Sequence, residues 1–248
     1  MRVAVGHLYP EYLNIYADRG NVAVLRVRAR RRGIELDVME IGIGEPTPSE
    51  IDLFYIGGGQ DREQALIAPD LAARGATLID AVAGGAAVLA VCGGYQLLGR
   101  SYRGRAGVEL PGAGVFPLET VAGRRRMIGD VLIECELDSG DTRTVAGFEN
   151  HAGRTILDPG ATPLGRVLFG FGNDGESGSE GCRVGSAVGT YLHGPLLPRN
   201  PWLADWLLAK AVEHRTGDEP HFSRLPDELE AAAHAVSAAR ARSRGGRF

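Results

Sequence analysis

Apolar and polar positions alternate along the first part of the chain in two different periods. Residues 2–6 (RVAVG), 34–41 and 51–56 are short apolar or alternating runs that predict strands, while 21–32, 62–73 and 77–83 carry the spacing of helices. The third strand ends in Gly57-Gly58-Gly59, and a fourth apolar run, 86–91, ends in Cys92-Gly93-Gly94. Strands that alternate with helices in this way predict an α/β fold with a doubly wound, mostly parallel sheet and helices on both faces. The texture changes after Gly99. Between 115 and 148 the runs MIGDVLIECEL and TRTVAGFE are strand-like, separated by glycine-rich turns and without helical period, which predicts an antiparallel extension of the sheet. Residues 186–192 read as another buried strand. Asn200-Pro201 is expected to cap a helix with Leu203, Trp206 and Leu207 on its inner face. A last amphipathic helix spans 225–239. No repeat or linker divides the chain, so the expectation is one domain over 1–248, a helical C-terminal extension from about residue 224 and a frayed tail from about 240.

The junction at 87–99, AVLAVCGGYQLLG, changes the picture from fold to chemistry. A buried strand, a cysteine, two glycines and a short helix ending at Gly99 make a strand–elbow–helix turn. Such a turn lifts the side chain at its apex above the sheet. Cys92 at that apex would also lie at a helix N-terminus, where unsatisfied N–H groups favour the thiolate. A cysteine nucleophile needs a base, and Thr190-Tyr191-Leu192-His193-Gly194-Pro195 brings a histidine out at a strand end, where open α/β sheets bind ligands. His151, in GFENHAG with Glu149 two residues earlier, is the rival base. The run Tyr55-Ile56-Gly57-Gly58-Gly59-Gln60-Asp61 offers backbone N–H groups suited to an oxyanion hole, or else a flexible turn.

Composition bounds the rest. With 248 residues, 44% hydrophobic and 23% charged, the chain is long enough for one large α/β domain. Its three cysteines, Cys92, Cys135 and Cys182, are widely spaced, which suggests neither a disulfide framework nor a metal site, and points to the reducing cytoplasm. A net charge of −4 argues against nucleic acid as partner, despite the basic tail SAARARSRGGR. The uncharged run 81–98 approaches the length of a membrane span but is broken by glycines, and Met1 leads directly into a strand, so neither a span nor a signal peptide is expected. There is no G-x-x-x-x-G-K-[ST] loop and no G-x-G-x-x-G turn.

AVCGGYQLLG, with YIGGGQD upstream and YLHGPLLPRNP downstream, resembles the class I glutamine amidotransferases of the cobyric-acid-synthase type. LNIYADRGN, GFENHAGRT and LHGPLLPRNP resemble, more narrowly, the glutaminase subunits of lipid II isoglutaminyl synthases. The matched blocks run from Leu13 to Pro201; the final helix and tail lie beyond them. The resemblance implies that Cys92 is the nucleophile, His193 the catalytic base, Gly58 and Gly93 the donors of the oxyanion hole, and Arg126 in GRRRMIGD a substrate-binding arginine, with Arg124 and Arg125 beside it. Two positions depart from the wider class: Ala90 stands where a glycine is usual before the nucleophile, and Pro195 where many members carry a glutamate that completes a triad. A Cys–His dyad, or a third member from elsewhere, follows.

The implied activity is hydrolysis of glutamine to glutamate and ammonia, with no metal or cofactor in this chain. Amide synthesis from a carboxylate needs ATP and magnesium, which the resemblance puts on a Mur-ligase-like synthetase subunit, MurT, acting on the D-glutamate of lipid II. Two alternatives keep the fold: an amidotransferase of cobyrinic or cobyric acid synthesis, whose ATP-binding domain would share the chain, and a non-catalytic regulatory subunit, which would have lost the dyad or the glycine run.

Overall fold

The computed structural model describes residues 1–15, 19–105, 107–138 and 140–244; part of LNIYADRGN and the tail beyond 244 lie outside the described residues. In chain order the first half contains β1 (Arg2–Leu8), α1 (Arg19–Arg31), β2 (Glu35–Ile41), β3 (Leu53–Ile56), α2 (Asp61–Ala73), α3 (Gly75–Ala83), β4 (Ala87–Val91) and α4 (Gly93–Leu97). Seven short and two long elements follow: β5 (Ser101–Arg103), β6 (Glu109–Pro111), β7 (Leu118–Glu136), β8 (Thr142–Leu157), β9 (Gly165–Phe169), β10 (Ser179–Glu180), β11 (Cys182–Val184), β12 (Ala187–Thr190) and a 3-10 turn at Leu197–Arg199. The chain then ends in α5 (Pro201–Thr216) and α6 (Glu228–Arg244).

One sheet has the order β11-β12-β4-β3-β1-β2, and all its pairs are parallel except β11 with β12. β3 and β4 are buried along their whole length, as continuous apolar runs between two helical layers should be. From β1 the chain moves outward to β2, and from β3 it moves the opposite way to β4. With right-handed crossovers, α1 and the α2–α3 pair therefore cover opposite faces. The order reverses between β1 and β3, and the carboxyl ends of the strands flanking such a switch point open a crevice.

The antiparallel segment does not extend this sheet. It forms a second six-stranded sheet of order β10-β9-β7-β5-β6, with β8 paired along β7. The edge beside β12 is already taken by β11, so the 19-residue β7 and 16-residue β8 pair with each other instead. The expected single antiparallel extension is reduced to the three residues of β11.

Two local expectations also change. Asn200 precedes α5 but makes no capping bond; its side chain reaches instead to the Ala146 N–H and C=O and to the Leu196 C=O, tying the helix start to β8. The last helix runs from Glu228 to Arg244, so order continues past residue 240. Ala238 and Ala241 are buried against Leu132 and Ala146 of the second sheet, and small side chains are what let a helix lie that close. Upstream of α6, Asp227 and Asp205 of α5 share the guanidinium of Arg28 on α1 through bonds of 2.6 to 2.9 Å.

Candidate active site

The elbow is built by strain. Cys92 has φ 48° and ψ −102°, outside the region L-residues prefer, a state that costs of order 1–3 kcal/mol and persists only where the surroundings over-determine it. They do so here: the Cys92 N–H donates to the Thr190 carbonyl of β12 at 2.8 Å, and the Cys92 carbonyl accepts the Gln96 N–H at 2.9 Å, opening α4. α4 has only five residues, too short for a large helix dipole at the thiol.

The glycine turn after β3 lies directly against this elbow. The Gly94 N–H donates to the Gly57 carbonyl at 3.1 Å, and the Gly58 carbonyl accepts the Ile15 N–H at 3.3 Å. A Cβ on Gly93 would stand 2.9 Å from the Gly59 nitrogen, and one on Gly94 2.8 Å from the Gly57 oxygen. Glycine is required at both positions because the two backbones touch. The flexible-turn reading of the glycine run therefore gives way to a packed pair of loops.

Above the elbow is a cavity of about 710 Å³. Its walls come from Cys92 and Gln96 after β4, from Gly59 and Gln64 after β3, and from Arg126 and His151 of the second sheet. The β7–β8 register jumps between Ala122 and Met127, so residues 123–126 stand out of the ladder as a bulge. That bulge is the GRRR stretch. Of its three arginines Arg126 reaches the cavity wall, where its Nε donates to the Asn150 side-chain oxygen and its Nη2 to the Asn150 carbonyl, both at 2.9 Å.

His193 lies just beyond β12, whose Thr190 is paired with Val91, so its segment leaves the sheet next to the elbow. It is fully buried and held by a backbone bridge to Phe148 of β8. Burial, with the Arg126 guanidinium and the imidazole of His151 nearby, pushes its imidazole down to about 3, so the ring is neutral at physiological pH. His151 is stacked on Tyr191 with ring centroids 3.4 Å apart. Its Nδ1 bonds the Gly153 carbonyl at 2.9 Å, and Nε2 faces the buried Glu149 at 3.6 Å. Burial lowers its pKa despite that carboxylate. The lining of the cavity includes His151 and not His193, and from the two glycine turns it includes Gly59 but neither Gly58 nor Gly93, the two expected there.

Residues that sequence reading did not single out complete the site. Gln64 Nε2 donates to Gln96 Oε1 at 2.9 Å, Gln96 Nε2 donates to the Tyr191 hydroxyl at 3.1 Å, and that hydroxyl pairs with Thr155 at 2.6 Å. Glu180 is buried under the strand end that leads to His193. It accepts the Tyr191 N–H at 2.6 Å and the Thr190 hydroxyl, and burial pushes its carboxyl up to about 8. Asn21 ties the N-terminal LNIYADRGN block to two others by donating to the Tyr55 hydroxyl and accepting the Leu197 N–H. Pro195, the departure beside His193, packs against Gly20, where any Cβ would lie 2.7 Å away.

Residues 4–201 match the CobB/CobQ-like glutamine amidotransferase domain. The chain belongs to that family. It is a glutamine amidotransferase, and the blocks that resembled the family lie within the matched span. It is 44% identical over 214 residues, 86% of either chain, to the GatD subunit of lipid II isoglutaminyl synthase (glutamine-hydrolyzing) from Staphylococcus aureus. To cobyric acid synthase of Synechococcus it is 34% identical over 203 residues, covering 75% of this chain and 39% of that protein. A glutamine amidotransferase from Thermotoga maritima shares the fold, with a TM-score of 0.53 over 97% of this chain and 95% of that one at 19% identity. Among the described residues no helix is long and apolar enough to cross a membrane, and no three or more His, Cys, Asp or Glu side chains group to hold a metal ion.

Proposed function

We propose that the chain is the glutaminase subunit of a lipid II isoglutaminyl synthase, working in the cytoplasm with a Mur-ligase-like synthetase, MurT, that amidates the D-glutamate of lipid II. The observation that carries the reading is the elbow, with Cys92 at φ 48° on the wall of a cavity that also presents Arg126. The choice of pathway is supported by near full-length similarity to a GatD subunit, against a match to only 39% of cobyric acid synthase.

In this reading Arg126 holds the α-carboxylate of glutamine and the Cys92 thiolate attacks its side-chain amide. His193 takes the thiol proton and returns it to the departing ammonia. The oxyanion is held by the N–H groups of Gly58 and Gly93, worth roughly 3 kcal/mol per donor. A water activated by His193 then hydrolyses the glutamyl thioester. Formation of a thiolate–imidazolium pair supplies the attraction that a buried neutral histidine needs to accept a proton. The chain carries no cofactor; ATP and magnesium act on the partner. The whole chain works as one domain, with α6 as a strap across the second sheet.

A second reading of the base has its own support, since His151 lines the cavity and has Glu149 behind it. Single-turnover thioester formation in His193→Ala and His151→Ala separates the two: loss in the first alone supports His193, and loss in the second alone overturns that assignment. For the nucleophile, an electrophilic glutamine analogue should modify Cys92 and neither Cys135 nor Cys182, whose thiols burial pushes up to about 12. An adduct on either buried cysteine, found by peptide mass spectrometry, would contradict the reading.

A further inference from the structure

We propose that Gln64 is a positioning residue that locks the glycine turn after β3 to the elbow after β4, and so fixes the relative placement of the two oxyanion-hole donors. The inference rests on the glutaminase reading above. The two donors, Gly58 and Gly93, belong to different loops, and catalysis by preorganised N–H groups depends on both being aimed before charge develops. Something must hold the loops in register.

The orientation of the Gln64 amide is fixed by its neighbours. The Gly93 carbonyl can only accept, and Gln64 Nε2 donates to it at 3.3 Å. The second Nε2 proton goes to Gln96 Oε1 at 2.9 Å. Turning the amide over would set oxygen against oxygen at both contacts. The Gly93–Gly94 peptide is consequently gripped on both edges by one stretch of chain, its oxygen by Gln64 and its N–H by the Gly57 carbonyl at 3.1 Å. A peptide held at both edges cannot rotate; through the Gly93 Cα it adjoins the Cys92–Gly93 peptide that carries one donor, and the Gly57 carbonyl that grips it belongs to the Gly57–Gly58 peptide that carries the other.

The grip continues toward the base. Gln96, oriented by Gln64, donates to the Tyr191 hydroxyl at 3.1 Å, and Tyr191 stands two residues before His193. Gln64 is itself 1% exposed, so water does not compete for these bonds. The role requires a neutral group with two donors: a carboxylate would face two acceptors and add negative charge beside the oxyanion, and an apolar side chain would release the peptide.

The test uses Gln64→Met and Gln64→Glu in the protein purified with any subunit it carries, with wild type and Cys92→Ser in parallel. Gln64→Met should lower kcat for glutamine hydrolysis about 10- to 100-fold, part of what the loss of a whole donor would cost, with KM within about threefold. Gln64→Glu should be slower still near pH 8. Its kcat relative to wild type should rise as the pH falls, because the protonated carboxyl loses its charge and can donate one of the two bonds. Alkylation of Cys92 by iodoacetamide, which does not use the oxyanion hole, should proceed at the wild-type rate in Gln64→Met. The inference is overturned if both variants keep kcat within about threefold of wild type, if KM rises while kcat holds, if the pH ratio is flat, or if Gln64→Met loses its folded circular dichroism spectrum. Failure of the wild type to hydrolyse glutamine through Cys92 would instead overturn the glutaminase reading itself.

Discussion

Replacing Gly93 with alanine puts a methyl group where two backbones meet. The new carbon would lie 2.9 Å from the Gly59 nitrogen and 3.2 Å from both the Gly59 oxygen and Gln64 Cδ. Two of these three contacts are main-chain atoms that cannot rotate away, so ordinary van der Waals separation requires the loops to part by about half an ångström. Overpacking of that kind costs about 1–3 kcal/mol of stability. The catalytic cost should be larger, because a displacement of that size takes a donor at about 2.9 Å out of useful hydrogen-bonding range of the developing oxyanion. Loss of one donor corresponds to about 3 kcal/mol, or roughly a 100-fold fall in kcat. KM should change little, since the oxyanion exists only along the reaction path. Glutamate release at saturating glutamine, measured beside a thermal melt, gives both quantities. Gly129→Ala on β7 is the control, for nothing lies within 4 Å of the place its methyl group would take. A Gly93→Ala protein whose kcat stays within about threefold of wild type would refute the placement of the oxyanion hole at this contact.

Arg126→Ala should raise KM for glutamine at least tenfold with a smaller change in kcat, measured by steady-state hydrolysis; an unchanged KM would remove Arg126 from the substrate site. Arg28→Met should cost about 3–4 kcal/mol, less than a fully desolvated pair because Asp205 and Asp227 are each about a quarter exposed. The same change should speed proteolysis within α6, and a melt unaltered from wild type would show that the clamp does not hold the C-terminal helix. Burial holds the imidazole of His7 near 4, below its ordinary value of 6.5, so the unfolded chain takes up a proton first as the pH falls. Stability from this group is complete above about pH 6.5 and is lost on the way down through 4, amounting to about 2–3 kcal/mol between pH 7 and 4.5. Denaturant melts should therefore show wild type losing about 2–3 kcal/mol relative to His7→Phe between about pH 7 and 4.5, and a difference that stays constant with pH would contradict the assignment.

The first half of the fold was legible because its inner strands β1, β3 and β4 are buried almost throughout, while only the edge strand β2 is partly exposed. A strand such as AVLAV leaves an unbroken apolar run, and the glycines that end it mark the turn. The Cys92 elbow was legible for the same reason. The second sheet was not, since alternation along β7 and β8 predicts strands but says nothing about which edge they join. The bulge that brings Arg126 to the cavity was hidden too: nothing in GRRR tells which of three adjacent arginines a register shift will carry to the cavity wall. Gln64 and Gln96 lie on helices where an amide signals nothing by itself, and only the packing of two helices buries them together. The end of α6 was misplaced because alanine and arginine in ARAR suggest a solvated terminus, while Ala241 in fact lies fully buried.

The central claim is that ammonia made at Cys92 feeds a synthesis carried out by a partner. The direct measurement is amidation of the lipid-linked substrate by the complex containing Cys92→Ser, with glutamine and with high ammonium salt as alternative donors. Serine is close to cysteine in size but far less ionised at neutral pH. The expected result is no product with glutamine and near wild-type product with ammonium. Loss of amidation with both donors, or full amidation with glutamine, would contradict the claim.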